Sequence, residues 1–154
     1  MEIERKFLLH SIPFNIDQYK QTEIEQAYIS IDPTIRLRRC NNDYFLTIKQ
    51  NGFLARDEAE FIITKKQYDY LWNKIETNVI NKTRVYIPLP DGLTAEVDIY
   101  HGVLHGLKTV EVEFNNLEQA ESFVPPEWFG TDVTNDLRYY NNYLASKGIN
   151  GSIP

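Results

Sequence analysis

Apolar residues recur at every second position through much of this chain, and the positions between them are often charged. At the start, Ile3, Phe7 and Leu9 fall on one face and Glu2, Glu4 and Lys6 on the other, as in a strand whose successive side chains point opposite ways. Ser11-Ile12-Pro13 breaks the extended run, and residues 14–22 are ambiguous, with a short helix as one reading. Glu23 to Ile31 reads as strand, Asp32-Pro33-Thr34 as a turn, and Ile35-Arg36-Leu37-Arg38 alternates apolar with basic. After a turn at Asn41-Asn42-Asp43, Tyr44 to Gln50 sets Leu46 and Ile48 against Phe45, Thr47 and Lys49. Asn51-Gly52 is a hairpin signal. The strand it leads into, from about Leu54 to Ile63, puts Arg56, Glu58 and Glu60 on one face.

Thr64 then opens a helix. It can cap, Gln67 occupies the capping-box position, and Tyr68, Leu71, Trp72 and Ile75 form an apolar stripe. Residues 79–88 return to strand with Lys82, Arg84 and Tyr86 aligned, and Pro90-Asp91-Gly92 turns the chain. Leu93 to Tyr100 aligns Glu96 with Asp98, and Leu107 to Phe114 aligns Glu111 with Glu113. Asn116 caps a short helix to about Phe123, and a final helix is expected from about Asn135 to Lys147, stopped by Gly148. The tail from Asn150 is expected to fray. The expectation is a single α+β domain over 1–154, mainly β: eight antiparallel strands closed into a barrel, with two or three flanking helices.

Composition narrows the function. With 154 residues, 42% hydrophobic and 25% charged, the chain can bury a core of ordinary size. A formal net charge of −6 argues against nucleic acid or an acidic membrane as partner. Cys40 is the sole cysteine, which excludes an internal disulfide and fits a reducing compartment. No apolar stretch approaches the roughly 18 residues of a membrane span. The acidic opening Met1-Glu2-Ile3-Glu4 is the wrong start for a signal peptide, so a cytoplasmic location is expected. His101 and His105 are four residues apart, but Gly102 and Gly106 make the helix that would turn that spacing into a metal site improbable.

The charges themselves change the picture. A solvated strand face mixes neutral polar residues with both signs. Here like charges repeat at i, i+2 on strand after strand: Glu2 and Glu4, Arg36 and Arg38, Glu58 and Glu60, Lys82 and Arg84, Glu96 and Asp98, Glu111 and Glu113. Neighbouring like charges destabilise a sheet unless something offsets them. Metal cations on the acids and a polyanion on the bases would do so, which favours a charged interior beneath apolar outer faces.

This set of motifs resembles the CYTH domains, or triphosphate tunnel metalloenzymes. Glu2-x-Glu4-x-Lys6 matches the N-terminal signature. Arg36-Leu37-Arg38, Lys49, Glu58-Ala59-Glu60, Lys82-Thr83-Arg84, Glu96-Val97-Asp98 and Glu111-Val112-Glu113 follow in order. The resemblance implies an eight-stranded tunnel whose bases grip a triphosphate and whose acids hold Mg²⁺ or Mn²⁺. Among the family's activities, hydrolysis of inorganic triphosphate to pyrophosphate and phosphate is the expected one. A class IV adenylate cyclase is the alternative, as is a non-catalytic triphosphate or polyphosphate sensor. The cyclases carry a His-Phe pair ahead of this strand, where the present sequence has Met1 alone. The complete set of acids exceeds what a sensor of anions needs.

Roles follow from donor chemistry. Lys6, Arg36, Arg38, Lys49, Lys82 and Arg84 are expected to spread over phosphoryl oxygens. Arg138 is placed with them, although a helix-surface charge is an equal alternative for it. Glu2, Glu4 and Glu113, with Glu111 next, are expected as metal ligands. Glu58, Glu60, Glu96 and Asp98 remain for catalysis, holding a second metal or orienting water. A monomer or homodimer is expected.

Overall fold

The computed structural model describes residues 2–50 and 55–148. The Asn51-Gly52 hairpin signal and the tail from Asn150 lie outside those residues. Strands β1 (Glu2–Leu8), β2 (Lys20–Ser30), β3 (Thr34–Cys40), β4 (Asp43–Lys49), β6 (Glu58–Ile63), β7 (Ile80–Pro88), β8 (Thr94–His101) and β9 (Lys108–Glu113) are joined by the two-residue β5 (Ala55–Arg56). Three α-helices, α1 (Lys65–Trp72), α2 (Leu117–Ser122) and α3 (Asn141–Lys147), and several short 3-10 turns complete the described elements. The strands form one curled antiparallel sheet in the order β5-β1-β9-β8-β7-β2-β3-β4-β6.

The long antiparallel strands expected from the alternation are present, but the sheet they form is open rather than the closed eight-stranded barrel expected. β5 pairs with β1 only through Glu2–Arg56 and Ile3–Ala55. β6 pairs along its whole length with β4. The strand expected over 54–63 is thus interrupted at Asp57, and its two pieces stand at opposite ends of the sheet order.

Alternation sorts the side chains between two faces. Ile3, Phe7, Val85, Val97, Val110 and Val112 leave β1, β7, β8 and β9 on the outer side, where Phe114, Ala120 and Phe129 cover them. Each such side chain contributes about 1.5–3 kcal/mol on burial. Arg5, on this same face, ties the cover down: its guanidinium donates to the carbonyls of Ala120 and Phe123 and pairs with Asp132 at 2.9 Å. A second cluster closes one end of the curl, with Leu144 and Ala145 of α3 and Tyr139 packed among Tyr28, Ile80, Tyr100, Leu104 and Leu107.

The helix starts were readable. Thr64 and Gln67 form the reciprocal capping box of α1, and Asn116 caps α2. The final helix was not. Asp136 caps a 3-10 turn at Leu137–Tyr139, and Tyr140 is extended at φ −69° and ψ 140°, so α3 begins only at Asn141. Residues 14–22 likewise hold a 3-10 turn at Ile16–Gln18, and β2 already starts at Lys20.

Ahead of α3, the chain straps itself along β1. Gly130 N donates to the Leu8 carbonyl, Leu8 N to Thr131, and Val133 N to the Lys6 carbonyl. The approach is so close that a Cβ on Gly130 would lie 2.5 Å from the Leu8 carbonyl oxygen. No helix among the described residues is long and apolar enough to cross a membrane.

Candidate active site

The concave face of the sheet surrounds a cavity of about 490 Å³. Its charges are segregated by strand. Glu2 and Glu4 of β1, Glu113 and Glu111 of β9 and Glu96 of β8 make an acidic sector on three adjacent strands. Within it Glu4 stands directly opposite Glu113, and Glu96 opposite Glu111. Arg84 of β7, Arg36 and Arg38 of β3 and Lys49 of β4 make a basic sector, and Glu58 and Glu60 of β6 return to acid. Lys6 enters from β1 opposite Glu111, 3.4 Å from its carboxylate, and donates to the Tyr139 carbonyl.

Each base is positioned by neighbours. Arg36 donates to the Thr47 hydroxyl at 3.2 Å, and Thr47 donates to Glu60, itself 3.7 Å from Arg36. Gln26 on β2 accepts from Arg38 Nε at 2.9 Å and donates to the Tyr28 hydroxyl. Lys49 stands 3.8 Å from Glu2 across the open seam of the sheet. Burial lowers the Arg38 guanidinium to about 10, with Arg36 and Arg84 crowding it further. On the acidic side, burial pushes Glu113 up, and Glu2 and Glu111 add to it. Glu96 is raised too, by burial first, with Arg84 opposing and Glu111 and Asp98 reinforcing. Burial also works against ionised Glu111, but Lys6 and Arg84 outweigh it and hold that carboxyl low.

Three residues expected in the site do not line the cavity. Lys82 and Asp98 are fully buried, 1% and 0% exposed. The Lys82 ammonium lies 2.8 Å from Asp98, whose carboxylate also takes two hydrogen bonds from Arg84, at 2.8 and 3.0 Å. They form an ion cluster within the sheet, and only Arg84 reaches the cavity. Arg138 falls in the 3-10 turn, because the last helix starts late, and its guanidinium is bound to Asp136 on the surface at 2.6 Å. Residues the sequence reading passed over also line the cavity: Tyr28, Thr34, Gln50, Thr134, Tyr140, Asn141 and Asn142. Tyr28 shares the period-two face of Gln26 on β2, so alternation could have found it. Thr34 likewise shares the face of Arg36 on β3 and Gln50 directly follows Lys49, whereas Thr134, Tyr140, Asn141 and Asn142 depend on a C-terminal crossing that no local pattern announces.

The lining holds seven carboxylates and five cations, a formal excess of two negative charges. A polyanion needs added cations to enter such a space. The acidic sector fits a hard divalent cation by donor chemistry, since its ligating groups are carboxylates. The raised Glu113 supports that fit, because a cation there would offset the mutual repulsion of the acids. Among the described residues no three His, Cys, Asp or Glu side chains already converge as a cage.

An antiparallel sheet curled around facing rows of acids and bases is the architecture of a CYTH, or triphosphate tunnel, protein. No family model matches the chain. Whole-chain relatives do. The inorganic triphosphatase of Nitrosomonas europaea is 41% identical over 148 residues, which span 94% of this chain and 96% of that protein. The inorganic triphosphatase of Acetivibrio thermocellus is 32% identical over 152 residues, 94% of this chain and 92% of that one. The crystal structure of an inorganic triphosphatase superposes with a TM-score of 0.70 at 38% identity, covering 94% of each chain. The chain belongs to this family of CYTH triphosphatases. A Hippeastrum protein at 15% identity, with a TM-score of 0.58 over 79% of this chain and 83% of its own, shares the fold.

Proposed function

We propose that the protein is a divalent-metal-dependent triphosphatase that splits inorganic triphosphate into pyrophosphate and phosphate. The observation that carries this reading is the division of one cavity wall into a basic and an acidic sector. Arg36, Arg38, Lys49 and Arg84, with Lys6, are disposed to spread over the phosphoryl oxygens; the guanidiniums supply forked donors and the lysines point charges. Bare inorganic triphosphate suits such a wall, whose described lining is mostly charged or polar.

Glu2, Glu4 and Glu113, with Glu111, would hold Mg²⁺ or Mn²⁺. When bound, the cation neutralises charge on the phosphoryl group in transfer. Glu58, Glu60 and Glu96 are left to orient water, and Glu60 is fixed for it by Thr47 and Arg36. In the reaction a water oxygen bonds to a terminal phosphorus and the bond to the bridging oxygen breaks. Pyrophosphate departs with that electron pair, and the water proton passes to a lining carboxylate or to solvent. Phosphoryl transfer asks a protein chiefly for positioning and electrostatic stabilisation, which this wall offers. In the same reading β5 and β6, separated only by Asp57, close the curl into a tunnel around the substrate. The single cysteine fits action in a reducing cytoplasm.

Phosphate release from a panel of triphosphates, with Mg²⁺, Mn²⁺ or excess chelator, tests the proposal. Inorganic triphosphate is expected to be the best substrate, ATP poorer, and the chelated enzyme inactive. Undiminished turnover in chelator, or cyclic AMP as the main product from ATP, would overturn it.

A further inference from the structure

One stretch of the cavity wall bears no charge. It comes from the C-terminal segment, where Tyr140, Asn141 and Asn142 face the same space as the bases. Asn141 is held in a defined way: its Oδ1 accepts from the Tyr100 hydroxyl at 2.8 Å. Tyr100 is 1% exposed. Burial, reinforced by Asp98 and Glu111, holds its phenol well above the ordinary value, so the hydroxyl keeps its proton and acts as donor. An amide whose oxygen is anchored on a buried donor must turn its NH₂ away from that donor. Asn141 is half-buried and lines the cavity, so the away side is the cavity side. Among the described residues no side chain or carbonyl accepts from that NH₂. The Lys6 ammonium lines the same cavity and donates to the carbonyl of Tyr139, two residues before Asn141.

We propose that Asn141 is a substrate-binding residue, donating from Nδ2 to a phosphoryl oxygen of the triphosphate, and that Tyr100 is the positioning residue that fixes the amide in that orientation. The proposal rests on the triphosphatase reading above and adds to it a neutral donor from outside the sheet. A neutral donor has a use here. It stabilises phosphoryl oxygen without adding to the repulsion among Arg36, Arg38 and Arg84, and without pairing with a wall carboxylate. The anchoring by Tyr100 also means that little side-chain freedom is lost when the anion arrives.

The test compares wild type with Asn141→Ala, Asn141→Asp and Tyr100→Phe in three measurements: calorimetric titration with inorganic triphosphate, phosphate release with Mn²⁺, and melting temperature. Asn141→Ala is expected to raise Kd and KM about tenfold, as for loss of a hydrogen bond to a charged group. Asn141→Asp, which exchanges the donor for a like charge, should raise both about a hundredfold. Tyr100→Phe keeps Asn141 but frees its rotation, and should raise both about threefold with kcat unchanged. Melting temperatures that fall while Kd and KM stay at wild-type values would show that the Tyr100–Asn141 bond only secures α3, and the proposal would be wrong. Equal effects of Asn141→Ala and Asn141→Asp would also overturn it, because a donor role requires the acid to be worse. If wild type binds triphosphate but releases no phosphate, the triphosphatase reading falls while the Kd series still decides Asn141. If wild type does not bind triphosphate, both fall.

Discussion

Two groups of charges share the inner face of the sheet, and they are balanced in opposite ways. Asp98 sits between Lys82 and Arg84, with contacts of 2.8 Å to each. Burial alone would raise its carboxyl, yet the two cations outweigh burial and hold it well below the usual range. Glu4 and Glu113, by contrast, face each other across β1 and β9, and Glu113 is raised by burial and by neighbouring acids. The residue types are the same. In one group opposite charges are paired, although burial still lowers the Lys82 ammonium to about 7; the other is crowded in a way that a bound cation would relieve. Charge on an inward face therefore reads differently where opposite signs surround it and where like charges face each other.

That distinction can be broken or sharpened by experiment. The largest effect should come from Asp98→Asn, which leaves Lys82 and Arg84 buried without their counter-ion and should cost about 3–5 kcal/mol of stability. Denaturant unfolding measures it. The effect has a pH window: a carboxyl held low in the folded state contributes fully above its unfolded value of 3.8, and the contribution is lost as pH falls below that. The gap between wild type and variant should accordingly narrow under acid. A gap that is small at neutral pH would mean the cluster is not structural.

A pair of arginines gives the next largest effect. Arg36→Ala and Arg84→Ala should each weaken triphosphate binding by about 1.5–3 kcal/mol. Only Arg84→Ala should also lower the melting temperature substantially, because Arg84 belongs to both groups. Calorimetric titration and thermal unfolding on the two variants separate the terms. Identical melting losses would erase the contrast between paired and crowded charge.

The smallest effect has the opposite sign. Glu113→Gln in metal-free buffer should stabilise the protein by about 0.5 kcal/mol at neutral pH, since it removes one of two facing like charges. Raised in the folded state, Glu113 is a burden that grows as pH rises above its unfolded value of 4.5 and is absent below it. The advantage of the variant should fade toward pH 4. Destabilisation by Glu113→Gln at pH 7 would show that the acids are already compensated.

The faces of this molecule were legible because alternation is a local property. Glu4, Arg36, Lys49, Glu60 and Glu111 could be assigned to one concave surface from spacing and like-charge repetition alone. Depth along each strand was not legible. Lys82 and Arg84 are two residues apart on one face, yet Lys82 is sealed within the sheet and Arg84 opens on the cavity; register with Tyr100 and Asp98 decides it. The open seam escaped for a related reason, since the break at Asp57 follows from β1 and β4 competing for one short segment. Arg138 was misplaced because a helix drawn back to Asn135 ignores the extended Tyr140. The contribution of Thr134 and Asn141 depends on backbone bonds between residues 130–133 and β1, contacts more than a hundred positions apart that no periodicity encodes.

The strap along β1 has a consequence for how fast the site can act. Glu2, Glu4 and Lys6 belong to the same strand that carries the C-terminal segment, and the glycine at 130 lets the two backbones touch. The acid row and the uncharged wall are therefore parts of one frame and do not have to find each other when an anion arrives. Encounter should then need no slow step that brings these two parts together, its rate governed by diffusion and by how added cations offset the net negative charge of the cavity. The order that a mobile lid would have to create at each turnover is here created once, during folding.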